Sequence, residues 1–165
     1  MYDLQRETEQ DIWEVEALYD LCFAPGREAL SSYRLRDGVP PLRDLSRVAR
    51  DAQGILSGAI RFWPVQAGGV PALLLGPIAV HPTRQGEGLG GALMRDSMAA
   101  ASASGWERVL LVGDLAYYRK FGFQRLAGIA MPPPTNPARV LGVGLTRDAW
   151  DGVSGPVEPM SAASY

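Results

Sequence analysis

The sequence is poor in residues that form covalent or metal cross-links. Its 165 residues include one cysteine, Cys22, and one histidine, His81, far apart in the chain. A lone cysteine excludes an internal disulfide, and no Cys/His spacing typical of a metal site occurs, so we predict no bound metal. The first ten residues are acidic and lack the basic and apolar regions of a secretory signal. Both observations predict a cytoplasmic location.

Long hydrophobic runs and an excess of positive charge are also lacking. The longest stretch without a charged residue, 62–83, is interrupted by four prolines, so it cannot form the apolar helix that a bilayer requires. Fifteen arginines and one lysine stand against 18 acidic residues, which gives a formal net charge of −2. This balance argues against a surface that binds the phosphates of nucleic acid. We therefore predict no membrane and no nucleic-acid partner.

The remaining composition is that of a folded protein. Hydrophobic residues make up 47% and charged residues 21% of the chain, which is neither disordered nor fibrous. The length suits one hydrophobic core. We predict a single domain over residues 1–165, with a weakly apolar tail from Asp151 that is loosely held.

The first half of the chain predicts a strand, a helix and a hairpin. Residues 2–6 alternate weakly, and Thr8 and Asp11 have the spacing of a capping box before an amphipathic helix. We expect a short helix near residues 28–36 and an antiparallel pair at 45–50 and 55–63. The apolar side of the first helix is formed by Ile12, Val15, Leu18, Tyr19 and Cys22.

The second half predicts a parallel crossover. An apolar run at 72–81 predicts a central strand. Gly76-Pro77 interrupts this run, and we expect there a β-bulge or a point where a neighbouring strand separates from it. A helix over 88–104 and a strand over 108–112 complete a right-handed connection between parallel strands. We then expect a short helix at 115–121, a strand at 123–129 and a last strand at 139–145. The predicted class is α/β, with a mixed sheet.

Glycines crowd the start of the long middle helix, at Gly86, Gly88, Gly90 and Gly91. Amides at a helix N-terminus bind phosphate or diphosphate without basic side chains, although such a loop can also simply turn the chain. A nucleotide P-loop would end in Gly-Lys-Ser or Gly-Lys-Thr, and neither occurs. The spacing of Gly86, Gly88 and Gly91 does match the G-x-G-x-x-G fingerprint, with Asp114 after the next strand as a ribose ligand. A nicotinamide dinucleotide-binding protein is therefore one alternative, although residues 81–85 separate these glycines from their strand.

A family resemblance offers another interpretation. Gln85-x-x-Gly88-x-Gly90, after a strand that ends Val80-His81-Pro82, resembles the acetyl-CoA motif of the GNAT superfamily of N-acetyltransferases. A second motif that resembles this family is Tyr118 four residues before Gly122-Phe123. The resemblance is strongest over 72–125. It implies a GNAT-like acyl-CoA N-acyltransferase fold, in which a largely antiparallel sheet carries a parallel pair splayed at the cofactor site.

The resemblance also implies a cofactor site for acetyl-CoA. The CoA diphosphate would be held by the amides of Gln85, Gly86, Glu87, Gly88, Leu89 and Gly90. The pantetheine arm would pair with the backbone of Ile78, Ala79 and Val80. Arg84 would add a charge-assisted phosphate contact, unless it is an ordinary solvated arginine.

The implied reaction is transfer of an acetyl group from acetyl-CoA to a primary amine of a small molecule or peptide, by direct attack in a ternary complex. Tyr118 matches the position of the family's acid, and neighbouring Tyr117 competes for the role. Asp114 is the candidate base, with His81 or a chain of waters as alternatives; the family's usual asparagine before the tyrosine is missing here. Cys22 lies on an apolar helix face without a histidine nearby in sequence, which disfavours an acyl-enzyme.

Two further expectations concern the acceptor and the partners. Arginines mixed with aromatics favour an acceptor that carries an anionic group, and family members often form homodimers. A non-catalytic acyl-CoA-binding sensor is a second alternative, which would share the phosphate loop without requiring Tyr118. The acceptor side is expected to include Phe23, Arg27, Tyr33, Arg34, Arg61, Trp63 and the loop 132–137.

Overall fold

The computed structural model describes residues 1–23 and 31–160. The helices of this part are α1 (Ile12–Cys22), α2 (Ser31–Arg34), α3 (Leu89–Ala103) and α4 (Leu115–Tyr118). Its strands are β1 (Asp3–Arg6), β2 (Arg47–Arg50), β3 (Leu56–Ala67), β4 (Val70–Val80), β5 (Arg108–Val112), β6 (Gln124–Arg125), β7 (Ile129–Ala130), β8 (Val140–Gly144) and β9 (Gly155–Pro159). No helix in these ranges is both long and apolar enough to cross a membrane.

The chain divides into two compact units, each assembled from separate segments. Unit one comprises Met1–Arg27, Pro41–Phe62 and Gly76–Ser104. Unit two comprises Glu28–Pro40, Trp63–Leu75 and Gly105–Tyr165. Strands β3 and β4 contribute residues to both units. The expectation of one domain over residues 1–165 stays a prediction.

Unit one is built on an antiparallel arrangement with the strand order β1-β2-β3-β4. Strand β1 pairs with β2 from Asp3↔Arg50 to Arg6↔Arg47, and β2 pairs with β3. The predicted capping box is present before α1, where the Thr8 amide donates to Asp11 Oδ2 at 2.8 Å. The apolar face of α1 is buried in a cluster that contains Val15, Leu18, Tyr19, Val48, Leu56, Ala59 and Ala79.

Unit two contains the parallel pair. Strands β4 and β5 run parallel through Leu73↔Val109 and Leu74↔Leu110, which are the pairs of this ladder within the described residues. Strand β8 then pairs antiparallel with β5 over its whole length, and β6 pairs antiparallel with β8. The mixed sheet, mostly antiparallel with a parallel pair after a helical crossover, is confirmed.

The C-terminal part differs from the sequence expectation. The predicted strand at 123–129 is two short strands, β6 and β7, with a turn between them. The predicted last strand is β8, but β9 follows it, pairs antiparallel with β3 and parallel with β7, and buries Val157. The expectation of a loose tail is therefore wrong for residues 155–160. The prolines in Gly155–Pro159 depress the strand signal because proline cannot donate to a ladder.

Two other predicted helices differ from the structure in extent or type. The helix expected near residues 28–36 is described only as α2, Ser31–Arg34, and residues 28–30 lie outside the described part. The predicted short helix at 115–121 is α4 followed by a 3-10 turn at Arg119–Phe121. Helix ends are set by capping and tertiary contacts, which composition locates only to within a few residues.

A buried ion pair links β3 to the segment after β1 in unit one. Arg61 Nε and Nη2 donate to the two carboxylate oxygens of Glu7 at 3.0 and 2.7 Å. The side chains of Glu7 and Arg61 are 0% and 8% exposed. Glu16 also accepts from Arg61, and the guanidinium lies 5.3 Å from the centre of the Tyr19 ring. The sequence expectation placed Arg61 on the acceptor side, but its charge is satisfied within unit one.

Glu7→Gln should strongly destabilise the protein, because it leaves the buried Arg61 charge without its main counter-ion. We expect a loss of about 3–5 kcal/mol in the free energy of unfolding. The matched control is Asp44→Asn, whose pair with Arg6 is exposed and should contribute under about 1 kcal/mol. Urea unfolding at neutral pH measures both. Similar losses for the two variants would contradict the assignment.

Candidate active site

The N-terminus of α3 in unit one has the form of an anion site. Gly88 is the N-cap residue, with a φ of 81°, and no side chain caps the helix. Gly86 also has a positive φ, and a Cβ added at either glycine would meet nothing within 4 Å in the described structure. The first amides of the helix therefore lack both an intrahelical acceptor and a capping side chain. Together with the positive end of the helix dipole, this geometry fits a phosphate or diphosphate.

The strand that leads to this loop has one edge available for pairing. The His81 amide donates to the Ser57 carbonyl of β3 at 2.8 Å. Backbone groups of successive strand residues face opposite edges, so Ile78 and Val80 direct their amides away from β3. On that edge, no ladder partner for residues 78–80 occurs within the described part of the chain. An extended ligand could therefore pair with this segment as an added strand.

Two long-range pairs fix the side chains of the loop. Arg84 Nη2 bonds Asp51 Oδ2 at 2.7 Å, and the Tyr2 hydroxyl donates to Glu87 Oε1 at 2.8 Å. Hydrogen bonds from the amides of Ile55 and Gln53, with the charge of Arg84, hold the pKa of the Asp51 carboxyl below its ordinary value despite its desolvation. Arg84 thus lies beside the loop in an ion pair, and its expected phosphate contact stays a prediction. Tyr2 and Asp51 had no local sequence signal, because their partners are distant in the chain.

In unit two, the Tyr118 ring is packed tightly against the end of β5. A Cβ at Gly113 would lie 2.6 Å from Tyr118 Cε2, so this contact requires glycine. The ring also packs edge-on against Phe123 and Tyr117, with centroids 5.8 and 4.9 Å away. Burial, with a further contribution from Tyr117 and against an opposing effect of Arg139, raises the pKa of Tyr118 to about 12. Its hydroxyl is protonated at neutral pH, as that of an ordinary tyrosine is, and the higher pKa makes it a weaker acid.

The neighbours of Tyr118 have different surroundings. Tyr117 is exposed, and the Lys120 ammonium lies 4.2 Å from the centre of its ring. Asp114 is exposed and is the N-cap of α4, where its Oδ1 accepts from the Ala116 amide at 3.1 Å. The sequence expectation made Asp114 a candidate base, and the structure shows that it also has a capping role.

The histidine and the cysteine both have partners in unit one. His81 Nδ1 accepts from the Thr83 amide at 3.2 Å and lies 2.8 Å from Thr83 Oγ1, which closes the turn before the loop. Cys22 Sγ lies 3.5 Å from the Val80 carbonyl oxygen, and burial raises the pKa of its thiol. Across residues 1–23 and 31–160, no group of three or more His, Cys, Asp or Glu side chains could hold a metal ion.

The residues expected on the acceptor side fall in both units. In unit one, Phe23 packs against Tyr19 at 6.0 Å between ring centres, and Arg61 is buried. In unit two, the Arg36 guanidinium lies 4.1 Å from the Tyr33 ring and 5.2 Å from the Trp63 ring. Sequence analysis did not single out Arg36, because its aromatic neighbours come from two separate segments. Arg34 is exposed, Arg27 lies outside the described residues, and the loop 132–137 is closed by a Thr135–Pro132 hydrogen bond.

The described site residues are thus distributed by role. All of the predicted cofactor-binding positions, 78–80 and 84–90, lie in unit one. The predicted catalytic positions, Asp114 and Tyr118, lie in unit two with Tyr117. The roles expected for these two groups stay predictions.

The raised pKa of Tyr118 should make stability depend on pH above pH 10. An unfolded tyrosine ionises near pH 10, whereas folded Tyr118 resists ionisation to about pH 12. Its contribution is therefore complete below pH 10 and is lost as the pH rises toward 12. Urea unfolding from pH 8 to 11.5 should show a smaller decline for Tyr118→Phe than for the unaltered chain. Parallel curves would show that this pKa is not raised.

Comparison with known proteins agrees with this geometry. A family model described as an acetyltransferase (GNAT) domain matches residues 44–125, which include both motifs. The N-acetyltransferase YhbS of Escherichia coli K12 is 31% identical over 149 residues, 87% of each chain.

Two solved structures are similar over nearly the whole chain. The crystal structure of YhbS from Escherichia coli in complex with CoA has a TM-score of 0.82 and 29% identity, and covers 96% of this chain and 89% of that one. A GNAT family acetyltransferase from Brucella melitensis in complex with acetyl-CoA has a TM-score of 0.71 and 30% identity, with 99% and 97% coverage. On this sequence and structural similarity, the chain belongs to the GNAT family of N-acetyltransferases and is an acyltransferase.

Proposed function

We propose that this protein transfers the acetyl group of acetyl-CoA to a primary amine of a small molecule or peptide, by direct attack in a ternary complex. The observation that carries this proposal is the glycine-opened N-terminus of α3, whose first amides have no capping side chain in the described structure. The similar structures from Escherichia coli and Brucella melitensis hold CoA and acetyl-CoA, which supports the same cosubstrate here.

The cosubstrate would be held mainly by backbone groups. In this proposal, the amides from Gln85 to Gly90 bind the diphosphate, and the free edge of Ile78–Val80 pairs with the pantetheine arm. Arg84 adds positive charge beside the loop while Asp51 fixes its orientation. The exposed glycines leave space for the ligand, because a Cβ at Gly86 or Gly88 would project into open space.

The chemistry requires two proton transfers. Bound acetyl-CoA supplies a thioester whose carbonyl carbon is attacked by the amine, so that a C–N bond forms and the C–S bond breaks. We assign Tyr118 as the acid that gives its proton to the departing sulfur, since its position matches the family's acid and its phenol carries a proton at neutral pH. We assign Asp114 as the acceptor of the amine proton, because its carboxylate is exposed to solvent. Tyr117 is the alternative acid.

Gly88→Ala should weaken CoA binding. Alanine in the left-handed conformation is strained by about 1–2 kcal/mol, so the amides at the start of α3 will shift, and its methyl group will occupy space left for the phosphates. Gly105→Ala is the matched control, because Gly105 also has a positive φ and open space around it but follows the other end of α3. Calorimetry with CoA should show a loss of affinity for Gly88→Ala alone. Equal affinities in the two variants would contradict the phosphate-site assignment.

Tyr118→Phe should lower kcat by about 10²–10³-fold, since it removes the proposed proton donor, while the affinity for acetyl-CoA stays nearly unchanged. Release of free CoA thiol with a panel of primary amines measures the rate, and Tyr117→Phe is the control for the neighbouring hydroxyl. An unchanged kcat for Tyr118→Phe with a loss for Tyr117→Phe would transfer the role to Tyr117.

Asp114→Asn tests the proposed base separately from the helix cap. Asparagine caps helices about as well as aspartate, so stability should be retained while basicity is lost. We expect kcat to fall at neutral pH and the loss to persist as the pH is raised. An unchanged rate would leave Asp114 with its capping role only. CoA binding without thiol release from any amine would instead favour an acyl-CoA sensor.

A further inference from the structure

Helix α1 packs directly on the second half of β4 in unit one. Its buried residues Val15, Leu18 and Tyr19 share one apolar cluster with Ala79 of that strand, and Cys22 packs against this cluster. Residues three apart lie on the same face of a helix. The side chains of Tyr19 and Cys22 therefore both face the strand.

Both side chains also make polar contacts with the strand backbone. The Tyr19 hydroxyl donates to the Pro77 carbonyl at 2.9 Å, and the Cys22 thiol lies 3.5 Å from the Val80 carbonyl oxygen. These two carbonyls flank Ile78 and Ala79. We call Tyr19 and Cys22, with these two contacts, the α1 clamp.

The clamped segment has few other backbone constraints, one of which is the Gln85 side-chain amide, which donates to the Val80 carbonyl at 3.4 Å. Pro77 has no amide to donate, and the edge of residues 78–80 that faces away from β3 has no ladder partner within the described structure. A strand bonded along one edge only has no second ladder to hold its position, and hydrogen bonds weaken when the donor and acceptor move a few tenths of an ångström from their preferred distance. The α1 clamp limits such shifts from outside the sheet.

We propose that the α1 clamp holds the Ile78 and Val80 amides in register for the pantetheine arm of CoA, and that Tyr19 is its main positioning residue. This inference rests on the proposed function. A preformed strand edge avoids the cost of ordering that edge during binding. The clamp acts on one part of the ligand, because the diphosphate loop is shaped by its own glycines and by the start of α3.

The test compares two ligands that differ in the pantetheine arm. Tyr19→Phe removes the hydroxyl but keeps the ring. Calorimetry should show CoA binding about tenfold more weakly to this variant, the equivalent of one hydrogen bond. The affinity for 3′-phospho-ADP, which has the diphosphate but no pantetheine arm, should be unchanged. In steady-state assays, KM for acetyl-CoA should rise while kcat at saturation stays close to its original value.

Ser97→Ala is the matched control. Ser97 is buried and donates to the Leu93 carbonyl in α3, so this variant also loses one hydroxyl-to-carbonyl hydrogen bond inside unit one. It should bind both ligands as the unaltered chain does. Cys22→Ala tests the other contact of the α1 clamp in the same way, with a smaller selective loss for CoA, and it carries the test if Tyr19→Phe does not fold.

The outcomes separate this inference from the proposed function. Tyr19→Phe with unchanged CoA affinity, or with equal losses for both ligands, would overturn the inference while CoA binding by the unaltered chain upheld the proposed cosubstrate. If the unaltered chain bound neither ligand, the proposed function would fail, and the positioning role would fail with it.

Discussion

Unused backbone amides are the feature on which the proposed chemistry of this protein depends. A helix begins with N–H groups that have no acceptor within the helix, and proteins usually satisfy them with a side chain. At the start of α3, the N-cap residue is glycine, and no capping side chain is present among the described residues. The same principle applies to the β4 edge at residues 78–80. Both features suit a ligand that is recognised through its phosphates and its amide-containing arm.

Local sequence patterns were sufficient for the elements that carry these amides. The periodicity of α1, the turn between β2 and β3 and the glycine spacing before α3 each concern neighbouring residues, whose geometry is set by backbone sterics and capping. The Thr8–Asp11 capping box and the Asp114 cap belong to this group, although the cap of α4 was not foreseen. The conformation of the loop before α3 was predictable because positive φ values require glycine at particular positions.

Long-range partners were not predictable in this way. The Tyr2–Glu87 and Arg84–Asp51 contacts join residues far apart in sequence, and they depend on strand register that composition does not encode. Arg61 shows the same limit, since its burial beside Glu7 follows from the packing of unit one. Strand β9 was missed for another reason: burial of Val157 and Met160 outweighs the poor strand propensity of the prolines.

The close contact between Gly113 and the Tyr118 ring couples the two positions in evolution. A Cβ at position 113 would lie 2.6 Å from Tyr118 Cε2 and 2.9 Å from Leu111 Cδ1, so a substitution there is tolerated only after both neighbours have moved or been replaced by something smaller. The opposite order, loss of the tyrosine first, meets no steric barrier. Loss of the tyrosine therefore removes the larger of the two obstacles at the end of β5, and once Leu111 has also given way, a larger residue at position 113 would make recovery of the aromatic ring difficult.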